Sequence, residues 1–181
     1  MSFGIPAGKE RPIIADFATS ISAEGKIRVK LARGEKIPLG WVINSEGKLT
    51  DDPADLYKGG AILPFGEYKG YAINLLIEAL GGALSNGGIA DEFIGHNGLF
   101  IHVINIDFFT PIEEFKAKID KMIRKIKSSP LANGFKEILL PGEPELIEME
   151  KRKKNGIPIE EKTWNKIVEV AKKYKVEIPK V

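Results

Sequence analysis

Residues 61–76, AILPFGEYKGYAINLL, set a lysine and a glycine at the start of an apolar run with helical spacing. Such a run predicts a helix, and a helix N-terminus carries unpaired N–H groups and roughly half a positive charge. Lys69 adds a full charge at that point, while Gly66 and Gly70 keep side chains clear of an approaching ligand. The chemistry this favours is anion binding, of a phosphate above all. On spacing alone, the competing reading is a glycine turn with a solvated lysine. A second group lies earlier, in Ala15-Asp16-Phe17-Ala18-Thr19-Ser20, just after the apolar pair Ile13-Ile14. Small hydroxylated residues after a buried strand leave room for a ligand and offer donors to phosphate or ribose oxygens. Asp16 suits either a ribose hydroxyl or an Asx turn of its own backbone.

The remaining chemistry-bearing types are sparse. There are two histidines and no cysteine, so disulfides and thiolate catalysis are excluded. His102 sits inside the apolar stretch LFIHVINI and reads as structural. His96 lies in a loop, Ile94-Gly95-His96-Asn97-Gly98, where a solvated histidine is the simpler reading. No His or Cys pair has metal spacing, and HExxH, GxSxG, GxGxxG and the P-loop pattern are all missing, so no metal is assigned.

These residues need elements to hold them. Residues 11–23 predict a buried strand that runs into a small-residue turn, and Ile27–Leu31 (IRVKL) alternates like a second strand. A loop over Gly34–Gly40 leads to a short strand at Trp41-Val42-Ile43, a turn at Asn44–Gly47 and a polar surface loop over Lys48–Gly60. The lysine-bearing helix should run from Gly70 to Leu84 and bury Ala72, Leu75, Leu76, Ala79, Leu80 and Ala83. Gly81 and Gly82 either weaken its end or let another backbone pack closely. Leu99–Ile106 predicts a strong strand. Thr110-Pro111-Ile112-Glu113 then reads as a capping box that opens a helix with the stripe Ile112, Phe115, Ile119, Met122, Ile123 and Ile126. Lys136–Leu140 (KEILL) predicts a last strand. Helices over Glu145–Lys154 and Glu160–Tyr174 finish the chain, the latter burying Trp164, Ile167, Val168, Ala171 and Tyr174. The expected organisation is an α/β region over residues 1–142 followed by a helical segment over 143–181.

Composition sets the class. At 181 residues, 43% hydrophobic and 29% charged, the sequence reads as folded rather than disordered. No apolar run reaches the roughly 18 residues of a membrane helix, and the first residues lack a signal-peptide layout, so the cytoplasm is the default expectation. A net charge of +2 gives no basic stripe for nucleic acid. Lys151–Lys154 follows Glu145, Glu148 and Glu150, acids early and bases late, as a helix dipole favours. The glutamine-free, lysine- and glutamate-rich composition hints at a thermophilic source.

Taken in order, DFATS (16–20), Gly25-Lys26, LPFGEYKGYAINLLIEALGG (63–82), LPGEPE (140–145) and NGIPIEEKTW (155–164) resemble the malate/L-lactate dehydrogenase family, which includes L-sulfolactate dehydrogenase and diketogulonate reductase. The resemblance covers essentially the whole chain. It implies NADH- or NADPH-dependent reduction of 2-oxo acids or related imino acids. It also implies a non-Rossmann fold, a mostly antiparallel mixed sheet with flanking helices plus an all-α region, and a dimer. Carried over by position, Asp16, Phe17, Ala18, Thr19, Ser20, Ile21 and Ser22 would line an NAD or NADP cofactor. Tyr68 and Lys69 would contact it, with Lys69 as phosphate partner, and Gly142, Glu143 and Pro144 would form a third contact.

The chain departs from the family in length and in its acid. Members are roughly twice as long, with a catalytic histidine in an N-terminal Ser-His-Gly motif and a substrate-binding arginine nearby; neither segment occurs here. Some relatives use a carboxylate after the glycine that matches Gly25, where this chain has Lys26. Hydride transfer to a ketone needs a proton donor near the forming alkoxide, and no catalytic residue is assigned. Two readings stay open: the cofactor-binding C-terminal half of a split or truncated dehydrogenase, completed by a partner chain or a homo-oligomer, or a non-catalytic nucleotide-binding or oligomerisation module.

Overall fold

The computed structural model describes residues 1–90 and 97–178, which form two compact units, Met1–Pro130 and Leu131–Val181. The fold class is α/β, with small antiparallel sheets and several helices.

In the first unit, β1 (Ser2–Ile5) pairs antiparallel with β2 (Ile13–Asp16) in a register running from Ser2↔Asp16 to Ile5↔Ile13. Ile13 and Ala15 face inward while Ile14 and Asp16 face out, the period of a half-buried strand. The expected strand over Ile27–Leu31 is instead part of helix α1 (Glu24–Arg33). Of its alternating apolar residues only Ile27 is buried, with Val29 and Leu31 exposed. Glu24 reaches Arg28 one turn on, and Gly34, at φ 66°, caps the end by donating to the carbonyls of Leu31 and Lys30. The period-2 pattern was coincidental; helix geometry satisfies the backbone without a neighbouring strand.

A three-stranded antiparallel sheet follows, with β3 (Val42–Ile43) between β4 (Leu49–Thr50) and β5 (Ala61–Ile62). Asn44 Oδ1 accepts from the N–H groups of Glu46 and Lys48, which makes the predicted turn. The segment expected to loop, Lys48–Gly60, contains β4 and a 3-10 helix, Pro53–Lys58, capped by Asp52. Ile27, Ile37 and Val42 form the buried core of this region, with Trp41, Leu56 and Ile62 packed on it.

Helix α2 (Tyr68–Ile77) continues into a π-helical stretch, Glu78–Leu84, so the predicted helix exists over its full length. Its buried face differs. Ala72, Leu75, Leu76, Ala79 and Ala83 are exposed and Leu80 is half-buried, because no described element packs along that stripe. The buried residues are Gly70 and Gly82, and Gly82 is pressed against the Gly88 carbonyl, so it serves close backbone approach.

The strongest predicted strand, Leu99–Ile106, is not one. Residues 99–105 have no regular structure, and Ile106–Phe108 is a 3-10 turn. A strand needs a partner ladder, and among the described residues none is offered. His102 is consequently exposed rather than structural, its ring 6.4 Å from that of Phe100.

Helix α3 (Ile112–Lys127) buries Ile123 and half-buries Ile112, Phe115, Ile119 and Ile126, as the stripe predicts; Met122 is exposed. Its start is one step later than predicted. Pro111 occupies the cap, and Asp107 Oδ1, not Thr110, accepts from the Ile112 N–H. On the same helix Asp120 is buried and accepts from the backbone N–H groups of Gly8, Lys9 and Glu10 at 2.9, 2.8 and 3.2 Å. This ties the β1–β2 loop to α3.

In the second unit, the strand expected at Lys136–Leu140 is irregular, again without a partner among the described residues. Helices α4 (Glu143–Asn155) and α5 (Glu161–Lys173) follow. The acid-then-base order on α4 makes ion pairs, Glu148 with Lys151 and Arg152 and Glu150 with Lys153. On α5, Trp164, Val168 and Ala171 are half-buried, but Ile167 and Tyr174 are exposed. Among the described residues no helix is long and apolar enough to cross a membrane.

Candidate functional site

Strand β2 ends at Asp16, and the chain then runs as a narrow ribbon to Ser22 along the segment that leads into α2. Thr19 accepts from the Phe65 N–H through its carbonyl at 2.9 Å, and the Ile21 N–H donates to the Leu63 carbonyl at 2.8 Å. Ser20 and Pro64 form an antiparallel bridge between these bonds. The Phe17 and Phe65 rings meet edge to face, with centroids 5.8 Å apart. The Thr19 hydroxyl donates to Asn74 Oδ1 at 3.1 Å, which ties the ribbon to the second turn of α2. Asp16, Ala18 and Ile21 are exposed, Phe17, Thr19 and Ser20 are half-buried, and Ser22 is buried. Two of the three segments expected to meet a cofactor are thus locked together by backbone ladder, ring packing and a side-chain bond.

The mouth of α2 is built from the same pieces. Gly66 and Glu67 both have φ of 55°, and Glu67 pairs this with ψ of −118°, a region that disfavours any residue with a Cβ. The two left-handed residues turn the chain so that the Lys69 N–H donates to the Gly66 carbonyl, the Gly70 N–H to the Phe65 carbonyl and the Tyr71 N–H to the Glu67 carbonyl. Gly70 is buried there. A Cβ on it would collide with the Phe65 carbonyl oxygen and lie 2.9 Å from the Phe65 nitrogen. Lys69 is exposed, with Nζ 6.0 Å from the centre of the Tyr68 ring and no carboxylate partner among the described residues. Tyr68 is 72% exposed. An uncompensated cation and an exposed ring at a positive helix end form a donor set that suits a phosphate and a flat heterocycle.

The third expected segment belongs to the second unit. Gly142, at φ 93°, precedes α4, and Pro144 lies in its first turn. Glu143 Oε2 accepts from the Leu140 N–H at 2.8 Å while its own N–H donates to the Leu140 carbonyl at 3.0 Å, so its carboxylate is engaged in closing this turn. His96 lies outside the described residues, and Lys26 stands exposed on α1.

Sequence reasoning missed Asn74 as the clamp on Thr19. The signal was present, since Asn74 is the lone polar residue in the run Ala72–Ile77. It also missed Asp120, which looks like one more charge on an amphipathic helix.

The model of the malate/L-lactate dehydrogenase family matches residues 1–168. Malate dehydrogenase of Pyrococcus horikoshii is 41% identical over 93% of this chain and 51% of its own length, and L-sulfolactate dehydrogenase of Methanocaldococcus jannaschii is 40% identical over 90% and 48%. Among solved structures, that malate dehydrogenase superposes with a TM-score of 0.77 at 35% identity, covering 97% of this chain and 51% of that one. The Methanocaldococcus jannaschii sulfolactate dehydrogenase gives 0.74 at 34%, covering 97% and 52%. The chain spans about half the length of the curated relatives it matches.

Proposed function

This chain belongs to the malate/L-lactate dehydrogenase family, and from that premise we propose that it carries the cofactor side of an NAD(P)H-dependent oxidoreductase acting on 2-hydroxy or 2-oxo acids. The observation that supports it is the clamp of Asp16–Ser22 onto Leu63–Phe65, which ties small polar residues to the turn that opens α2. Reduced nicotinamide would supply the hydride. The part of this chain is to bind and orient. The Lys69 ammonium would take a cofactor phosphate, helped by the positive end of the α2 dipole, Tyr68 would offer a ring face, and Asp16 to Ser22 would line the remainder. Gly142, Glu143 and Pro144 are the third proposed contact, with Glu143 acting through its backbone because its carboxylate already holds Leu140.

The proton needed by the alkoxide has no assigned donor among the described residues of this site. The reading leaves that acid to the part of the relatives' length that this chain does not span. Its alternative, a nucleotide-binding module without turnover, differs only in whether an acid is ever supplied.

Titration of the purified chain with NADH and NADPH, followed by thermal unfolding, tests the binding part. A ligand at a hundredfold excess over Kd stabilises by about 2.7 kcal/mol, which for a chain of this size raises Tm by roughly 5–11 °C. Lys69→Ala should weaken that response about tenfold or more in Kd and leave the ligand-free Tm unchanged, because Lys69 is exposed and has no carboxylate partner among the described residues. No shift with either cofactor would overturn the reading.

A further inference from the structure

We propose that Asn74 fixes the hydrogen-bonding polarity of Thr19, so that Thr19 meets a hydrogen-bond donor on the cofactor, a ribose hydroxyl or a carboxamide N–H, and not a phosphate oxygen. This deepens the reading above, on which it rests, by naming the part of the ligand that one residue of the ribbon can take.

A threonine hydroxyl has one hydrogen to give and two lone pairs with which to accept. The Thr19 hydrogen is committed, because the hydroxyl donates to Asn74 Oδ1 at 3.1 Å. The oxygen is left as an acceptor only. Phosphate oxygens are acceptors as well, so the two would meet lone pair to lone pair, whereas an O–H or N–H on the ligand would pair. Such a contact discriminates in both directions, since it stabilises the matching group and disfavours the mismatched one. The expectation that the hydroxyls after β2 offer donors to a ligand is therefore reversed at Thr19 by its bond to Asn74.

The surroundings hold Thr19 in this sense. Its carbonyl accepts from the Phe65 N–H at 2.9 Å, so its backbone is pinned beside the turn that opens α2. Asn74 lies one turn after Gly70 on the same face of α2, and the Gly70 N–H donates to the Phe65 carbonyl. One helix face therefore holds Thr19 twice, through Phe65 by the main chain and through Asn74 by the side chain. Thr19 and Asn74 are both half-buried.

Neighbouring donors of the ribbon are engaged as well. The Phe17 N–H donates to the Met1 carbonyl at 3.0 Å and the Ile21 N–H to the Leu63 carbonyl at 2.8 Å. Asp16, exposed at the head of the ribbon, can only accept when ionised. The labour is thus divided: the Lys69 ammonium at the helix mouth suits a phosphate, and Thr19 suits the donor-bearing part of the same ligand. Asn74 is the residue that assigns Thr19 to the second task. Its neighbours Ile73 and Leu75 are apolar, and an apolar residue at position 74 would leave the Thr19 hydrogen free for a ligand oxygen. Asn74 is accordingly a positioning residue that acts through Thr19.

The test titrates the full chain and its variants with NADH and NADPH, read by nicotinamide fluorescence. Thr19→Val removes the acceptor and should raise Kd about three- to tenfold for both cofactors, the worth of one neutral hydrogen bond. Thr19→Ser keeps the hydroxyl and should stay within about twofold. Asn74→Leu, which suits a helix, should also raise Kd about three- to tenfold, and adding it to Thr19→Val should weaken binding no further, because both act through one contact. The Thr19→Val penalty should vanish with one of two analogues, which identifies the donor: the reduced 3-acetylpyridine analogue, which lacks the carboxamide N–H, or a cofactor lacking one ribose hydroxyl. The unaltered chain gives a reading that needs no variant, since it should bind that same analogue about three- to tenfold more weakly than NADH. A penalty that persists with every analogue would mean that Thr19 meets an acceptor and would overturn the proposal, as would additive losses in the double variant. Binding of NADH or NADPH that ignores both Thr19→Val and Asn74→Leu would remove this proposal and leave the cofactor reading standing. No binding of either cofactor by the unaltered chain would remove both.

Discussion

Replacing Gly70 by alanine probes the mouth of α2 with one methyl group. In an open helix position the change is favourable, since alanine exceeds glycine by about 1 kcal/mol in helix propensity. Gly70 is not open. The new Cβ would fall on the Phe65 carbonyl oxygen and 2.9 Å from its nitrogen, whereas ordinary contacts begin at 3.4 Å. Phe65 has little freedom to retreat. Its carbonyl accepts from Gly70, its N–H donates to Thr19, and its ring packs on Phe17. Overpacking of this kind costs about 1–3 kcal/mol, and losing the Gly70–Phe65 hydrogen bond adds about 1 kcal/mol. After the propensity gain, the net is a loss of about 1–3 kcal/mol, which lowers Tm by roughly 2–12 °C. The matched control is Gly25→Ala in α1, where the same methyl meets nothing within 4 Å; it should raise Tm by a few degrees. Thermal unfolding by circular dichroism reads both, and NADH titration should show weaker binding for Gly70→Ala only. If both substitutions raise Tm alike, the close approach of Gly70 to Phe65 is wrong, and the argument that it sets the helix mouth fails with it.

Other outcomes follow from the same structure. Glu67→Gly should raise Tm by a few degrees, because glycine relieves a strained backbone worth about 1–3 kcal/mol at the expense of unfolded-chain entropy; a fall in Tm would mean the Glu67 carboxylate is structural. The backbone N–H groups of Lys9, Gly8 and Glu10, with Arg124 beside them, hold the Asp120 carboxyl below the usual Asp range despite its burial. A depressed carboxylate contributes stability above its unfolded pKa of about 3.9 and loses it as pH falls through the lower folded value. Asp120→Asn should therefore flatten the acid limb of the stability curve below about pH 4 and lower Tm at pH 7, read by urea unfolding across that range. Ile27→Ala empties the centre of the Ile37–Val42 core and should cost about 2–5 kcal/mol by chemical denaturation.

The residues differ in how legibly they announced their places. α3 was readable because its stripe and its cover both lie within this chain: Ile123 is buried and its neighbours at helical spacing follow. The glycines at 66, 70 and 82 were readable because the backbone demands them locally. IRVKL misled because alternation over five residues fits a helix that buries a single position. LFIHVINI was read as a strand and the apolar stripe of α2 as a buried face, and both misled, because an apolar pattern states a preference for cover without showing that the described residues supply it. The candidate segments were proposed from their chemistry and from the family resemblance, while Asn74, which holds Thr19, was not legible, because a polar residue on an apolar helix does not name its partner.

The bond set of Asp120 also has a meaning in time. It joins positions 110–112 residues apart, and the β1–β2 hairpin it restrains is among the most local pieces of the unit. Local pairings close quickly, whereas long chain closures are slow and entropically demanding. The hairpin should therefore form early but remain unfixed until α3 has formed and docked. A single carboxylate would then act as the latch that registers arrival of the middle of the chain at its beginning, and Asp120→Asn should speed unfolding far more than it slows folding.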